Sequence, residues 1–138
     1  MQISQVMTTK PHIIDTNATL FEAAEKMQSF DCGILPVGDI DNTVGVLTDR
    51  DILTRAVAKG KDIKTTRVKE IMTNQPFFCQ EDDFLQTAVD KMNQHHTRRI
   101  LVKNKSNQLS GILSLGDIIR RVEDKVFLGE LFSHTSVG

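Results

Sequence analysis

Charge of one sign is missing from this chain: seventeen Lys and Arg face eighteen Asp and Glu, a formal charge of -1 over 138 residues. Without a basic surplus there is no global field to gather phosphate backbones, so a nucleic-acid partner is disfavoured and any anion site must be local. Long hydrophobic runs are missing too. No stretch of about 18 apolar residues occurs, and the start Met1-Gln2-Ile3-Ser4-Gln5 has neither a positive n-region nor an apolar h-region. The expectation is a soluble, unexported, cytoplasmic chain with no membrane partner. Cysteine is scarce: Cys32 and Cys79 stand alone without a C-x-x-C partner, which suits reduced thiols acting as small buried hydrophobes better than a disulfide framework.

Catalytic signatures are also lacking. There is no G-x-S-x-G nucleophile elbow and no G-x-x-x-x-G-K-[ST] phosphate loop. His95 and His96 are adjacent, so on a helix they point apart, and no carboxylate or Cys stands at ligand spacing from them. His12 reads as a phosphate-side or surface residue and His134 as solvated. No catalytic residue, metal or required cofactor is therefore expected, and the chain reads as a binding module rather than an enzyme.

What is present is a repeat. Sliding the sequence by 65 positions superposes Met7-Thr8 on Met72-Thr73, Pro11 on Pro76, Leu20 on Leu85, Ala23 on Ala88 and Lys26-Met27 on Lys91-Met92, through to Val37 on Val102. After one inserted residue the offset becomes 66, matching Gly45, Leu47, Asp51, Ile52 and Arg55 to Gly111, Leu113, Asp117, Ile118 and Arg121. Such self-similarity implies one supersecondary unit used twice. A fold of about 60 residues buries only about 60% of its unfolded surface, so neither copy is large enough to stand comfortably alone. The boundaries read as 1–60 for the first repeat, 61–67 for a polar linker, 68–124 for the second repeat and 125–138 for a tail.

Leu20, Ala23, Ala24 and Met27, and likewise Leu85, Ala88, Val89 and Met92, fall at i, i+3, i+4 and i+7, the spacing of one buried helix face. Thr19-x-x-Glu22 and Asp83-x-x-Gln86 have capping-box spacing at the two starts. Two short strands follow in each copy, Gly33–Val37 with Val44–Leu47, and Arg99–Val102 with Leu109–Leu113, joined by turn-prone Asp39–Asn42 and Ser106-Asn107. A second helical pattern closes each copy, with Ile52, Leu53, Ala56 and Val57, or Ile118, Ile119 and Val122. A first strand is placed near Ile13-Ile14 or Phe77-Phe78, and Gly60 ends a helix. The fold class is α/β (α+β), as two β-α-β-β-α repeats.

The chemistry concentrates at two strand-to-helix junctions, Thr48-Asp49-Arg50-Asp51 and Ser114-Leu115-Gly116-Asp117. A hydroxyl at a helix start can donate to a phosphate oxygen, and a carboxylate three residues on can accept two hydrogen bonds from a ribose diol. The same spacing equally fits an N-cap hydroxyl with an acidic N3 residue. Duplication copies caps as faithfully as sites, so recurrence leaves both readings open.

Met-Thr near each start, Leu35-Pro36-Val37, Val46-Leu47-Thr48-Asp49-Arg50-Asp51-Ile52-Leu53 and Arg98-Arg99-Ile100-Leu101-Val102 together resemble a tandem pair of cystathionine beta-synthase (CBS) domains, a Bateman module, over about Ile3 to Val122. Arg50 and Gly116 stand where many members carry a second hydroxyl, and Leu101 replaces a usual proline. The resemblance implies a pseudo-twofold pair packed through its sheets, a regulatory signal-transduction role, an adenosine-containing nucleotide (AMP, ADP or ATP-like) bound in clefts between the repeats, and a homodimer with an unidentified regulated protein. It carries Thr48 and Ser114 over as phosphate-side hydroxyls and Asp51 and Asp117 as ribose carboxylates. It further sets Phe77, Phe78, Arg98 and Arg99 opposite the Asp51 junction, and His12, Ile13 and Ile34 opposite the Asp117 junction. Because arginine forks suit phosphate, the Asp51 cleft is expected to be the stronger phosphate site. The alternative is a dimerisation or protein-interaction module that binds no nucleotide. Arg120-Arg121 with Lys125 reads as a solvated helix face, interrupted by Glu123 and Asp124. The apolar tail Val126–Phe132 must cover something, either the last helix or a second subunit.

Overall fold

In the computed structural model, which describes residues 1–133, the elements run β1 (Thr8–Thr9), α1 (Leu20–Phe30), β2 (Ile34–Gly38), β3 (Thr43–Thr48), α2 (Asp49–Arg55), α3 (Val68–Ile71), β4 (Thr73–Asn74), β5 (Phe78–Gln80), α4 (Leu85–Gln94), β6 (Arg99–Lys103), β7 (Leu109–Ser114), α5 (Leu115–Arg121) and α6 (Lys125–Leu131). They form two compact units. The first unit is Pro11–Pro76, and the second joins Met1–Lys10 to the chain from Phe77 onward.

In the first unit a three-stranded sheet, β2-β3-β4, is antiparallel throughout, with α1, α2 and α3 supplying Leu20, Ala23, Met27, Ile52, Ala56, Val68 and Ile71 to its core. The second unit has a four-stranded sheet, β1-β7-β6-β5, in which only the β5–β6 pair is parallel. Its core gathers Leu85, Ala88, Val89 and Met92 from α4, Ile118 from α5, and Ile3 and Val6 from the chain start.

The compact units are therefore not the sequence repeats. Residues 61–67, expected as a polar linker, fold back onto the first unit: Leu20 N donates to Thr66 O at 3.0 Å, Phe21 N to Ile63 O at 3.0 Å, and Ile63 packs against the core. The chain start does the same in the second unit, where Leu85 N donates to Met1 O at 3.0 Å. Each repeat's opening segment thus completes the body of the other repeat. The physical reason is the sheet: β1 pairs with β7, Thr8 opposite Ile112, while β4 pairs with β3, Thr73 opposite Val46.

Other expectations change locally. Asp83 does not cap α4; its carboxylate accepts from Gln80 N at 2.9 Å, and Phe84 stands at the N-cap. The returning chain start satisfies that helix end through backbone instead. The first strand of the first repeat shrinks to a bridge between Ile14 and Val37, because Asp15 turns the chain by accepting from Asn17 N at 3.0 Å, whereas β5 forms as expected. Leu53, Val57 and Ile119 are exposed, while Ile52, Ala56, Ile118 and Val122 are buried, since α2 and α5 turn only an i, i+4 stripe inward. The Thr19 cap forms as read, with Thr19 Oγ1 accepting from Glu22 N at 3.1 Å, and Gly60 closes the turn after α2 in the left-handed region at φ +71°. The tail packs as α6 in its own unit, where Phe127, Leu128, Leu131 and Phe132 cover that core; His134 lies outside the described residues.

Burial pushes the Cys79 thiol up from 9.0 to about 11. The folded state then holds its proton more tightly than the unfolded one. Stability is unaffected while both states are protonated, below about pH 9, and falls as pH rises from there toward 11. Iodoacetamide at pH 8 is expected to leave Cys79 unmodified in the native protein and to label it after unfolding; rapid native labelling of Cys79 would show the burial to be wrong.

Candidate functional site

The two strand-to-helix junctions have the same local construction. Thr48, extended at φ -112° and ψ 161°, ends β3 and caps α2: its Oγ1 accepts from Asp51 N at 3.1 Å, and Asp51 Oδ2 accepts from Thr48 N at 3.0 Å. At the β7–α5 junction Ser114 Oγ accepts from Asp117 N at 3.0 Å, and Asp117 Oδ2 accepts from Ser114 N at 3.1 Å. Both are reciprocal capping boxes, so the capping reading holds in full. It does not exhaust either group. A hydroxyl that accepts one N–H still has its own proton to donate, and a carboxylate with one oxygen in the cap has a second oxygen for other donors.

That second oxygen differs between the junctions. Asp51 Oδ1 lies 3.6 Å from Arg55 Nη2, an ion pair too long for a hydrogen bond. Asp117 Oδ1 accepts from Arg120 Nη2 at 2.9 Å and lies 3.7 Å from Arg121 Nη2. The Asp117 side chain is 8% exposed against 15% for Asp51.

The remaining candidates divide between the units. In the first unit Ile34 is the register partner of Thr48, and Asp49 N donates to Gly33 O at 3.0 Å. His12, exposed, stacks on Phe30 with centroids 3.6 Å apart, and the Ile13 carbonyl accepts from Lys26 Nζ. In the second unit Arg99 is the register partner of Ser114, and Leu115 N donates to Arg98 O at 2.9 Å. Phe77 stacks on His95 at 3.8 Å, the Phe78 carbonyl accepts from Lys91 Nζ at 2.7 Å, and Lys103 Nζ lies 4.0 Å from the Phe78 ring centroid. So Thr48, Asp51, His12, Ile13 and Ile34 share one unit, and Ser114, Asp117, Phe77, Phe78, Arg98 and Arg99 the other.

Two arrangements were not legible in the sequence, a matched pair of ring stacks and a matched pair of arginine clamps. His12 and Phe30 recur 65 positions on as Phe77 and His95, with the types exchanged and the stack kept. The exchange defeats an identity match and shows only when both positions are compared together. Arg55 and Arg121 match between repeats, yet Arg121 was read as part of a solvated face. Each is a clamp: Arg55 Nη1 donates to Ile71 O at 2.9 Å and Thr73 Oγ1 at 3.1 Å, and Arg121 donates to Val6 O at 2.7 Å and Thr8 Oγ1 at 3.2 Å.

Among the described residues no group of three or more His, Cys, Asp and Glu is placed to hold a metal ion. No helix among them is long and apolar enough to cross a membrane.

The CBS domain family profile matches residues 3–58 and again 68–124. The CBS domain-containing protein YhcV of Bacillus subtilis is 35% identical over 116 residues, 84% of this chain and 81% of that protein. The solved structure of the CBS domain protein PAE2072 from Pyrobaculum aerophilum, complexed with AMP, is similar with TM-score 0.80 and 28% identity over 96% of this chain and 99% of that one. That of Hypoxic Response Protein I, with two coordinated zinc ions, is similar with TM-score 0.77 and 30% identity over 88% and 99%.

Proposed function

This chain belongs to the CBS domain family, as a tandem pair, and from that premise we propose that it is a cytoplasmic regulatory module that binds an adenosine-containing nucleotide without turning it over. The observation that carries the reading is Asp51: half-buried, with Oδ2 held in the cap and Oδ1 free of a short hydrogen bond, it presents one oxygen to a ribose diol beside a hydroxyl that retains its proton. The AMP complex of PAE2072, a relative over nearly its whole length, supports the ligand class. Thr48 and Ser114 take the phosphate side, and the planar guanidinium groups of Arg98 and Arg99 suit a phosphate by chemistry. Phe77, Phe78, His12, Ile13 and Ile34 supply the apolar and aromatic surface that a purine needs.

AMP titrated into the protein is expected to raise its thermal midpoint, because a ligand at 100 times its Kd adds about 2.7 kcal/mol. Asp51→Asn keeps an oxygen for the Thr48 N–H while turning an amide donor toward the diol. It should weaken AMP about tenfold, the value of one charge-assisted hydrogen bond. A flat thermal response to AMP, ADP, ATP and S-adenosylmethionine would sink the reading.

One observation favours a second role alongside the first. Leu53 and Ile119, matched between the repeats, are 61% and 60% exposed on α2 and α5. Paired apolar side chains left outward on equivalent helices fit a homodimer or a regulated protein partner.

A further inference from the structure

We propose that Arg120 is a latch over the Asp117 carboxylate, and that it directs nucleotide to the Asp51 junction; this rests on the nucleotide reading above. The two junctions share a capping box and a clamp arginine, and of the five positions at which Thr48–Arg55 differs from Ser114–Arg121, two bear on the latch. Where the first repeat has Arg50 and Thr54, the second has Gly116 and Arg120. The Thr54 hydroxyl turns back to its own helix, donating to Arg50 O at 2.8 Å. Arg120, one turn along α5, instead folds back over the first turn of that helix and donates from Nη2 to Asp117 Oδ1 at 2.9 Å.

Gly116 makes room for that path. A Cβ built on it would lie 2.9 Å from Arg120 Nη1, closer than a side chain there permits. With Oδ2 committed to Ser114 N, the latch takes the oxygen that a ribose diol needs. Among the described residues, the corresponding oxygen at the Asp51 junction meets the 3.6 Å approach of Arg55, whose guanidinium is committed to Ile71 O and Thr73 Oγ1. The latch is exposed, its side chain 67% accessible, so a ligand can displace it, and the expected selectivity is about fivefold, the upper range for an exposed ion pair.

Calorimetric titration of AMP into the full chain tests this. In an Asp51→Asn background, which leaves Asp117 as the ribose carboxylate, Arg120→Ala is expected to tighten AMP about fivefold, and Gly116→Ala, which pushes the guanidinium aside while keeping its charge, to act in the same direction. Arg120→Lys, which keeps a cation without the planar fork, should recover part of the closure. The graft Arg50→Gly with Thr54→Arg should weaken AMP in the otherwise unchanged protein by a similar factor, a result that a merely structural role for Arg120 does not produce. If the unchanged protein binds AMP but Arg120→Ala leaves the Asp51→Asn affinity as it was, or lowers it, the latch is wrong and the nucleotide reading survives. If neither the unchanged protein nor any variant binds AMP, the nucleotide reading fails and the selecting role of Arg120 fails with it.

Discussion

Replacing Ile3 by alanine is expected to cost about 2–5 kcal/mol, the range for truncating a fully buried Ile side chain. Irregular segments outside the main helices and strands fray unless they are tied down, and the segment around Ile3 is tied down. Ile3 is 0% exposed, its N–H donates to Asp83 O at 2.9 Å, and the neighbouring Ser4 N donates to Glu81 O at 2.8 Å. Its side chain sits in the core built from Leu85, Val89, Ile100 and Leu113, all residues of the second repeat. The loss should therefore appear where the sequence is most distant. Hydrogen exchange resolved by residue is expected to show amides of β6 and β7 losing more protection than those of β2 and β3. Loss confined to the first repeat, or shared evenly, would contradict the exchange of opening segments.

Gly111→Val is expected to cost about 3 kcal/mol, at the top of the range for overpacking a filled site. Strand propensity alone predicts the opposite sign, since valine suits a strand better than glycine. The reason is a close approach. A Cβ on Gly111 would stand 2.8 Å from the Thr8 carbonyl oxygen and 2.6 Å from Met7 Sδ, so β1 would have to lift from β7. Gly45→Val is the matched test in the first unit, where the same atom would meet Thr73 O at 2.9 Å and Met72 Sδ at 2.6 Å. Chemical denaturation that shows either variant as stable as the parent would mean the strand pairing is misplaced.

These two predictions explain why certain matched positions stood out in the sequence. Met7-Thr8 and Gly111 are both repeat landmarks, and so are Met72-Thr73 and Gly45; in the folded chain each Met-Thr lies on the other copy's glycine. Identity between copies marked the residues without revealing that they touch. The helix faces were legible for a local reason: Leu85, Ala88, Val89 and Met92 recur with the helical period, and all four are buried. The closing helices were read less well, because Ile52 and Leu53, or Ile118 and Ile119, are equally apolar neighbours, and only packing decides which one turns inward.

The candidate site divides along the same line. The hydroxyl and carboxylate spacing was legible, and it builds a capping box at both junctions, as the local reading allowed. The difference between Asp51 and Asp117 was not legible. It depends on whether the residue three positions further along reaches back, and Arg120 does so with its long guanidinium, across the space that Gly116 leaves open. Charge patterning placed Arg120 in solvent, which its exposure bears out, while missing the carboxylate at the end of its side chain.

The sequence by itself determined the main helices and hairpins, their order and their duplication, because periodicity and turn residues act over a few residues and are written locally, while the short β1, α3 and β4 were not legible. It determined the family for the same reason, since the motifs that carry the resemblance are short and contiguous. Tertiary structure alone decided which copy each opening segment completes. Both copies present the same strand, the same glycine and the same helix start, so local energetics cannot distinguish the pairings, and the choice falls to contacts as distant in sequence as Thr8 and Ile112.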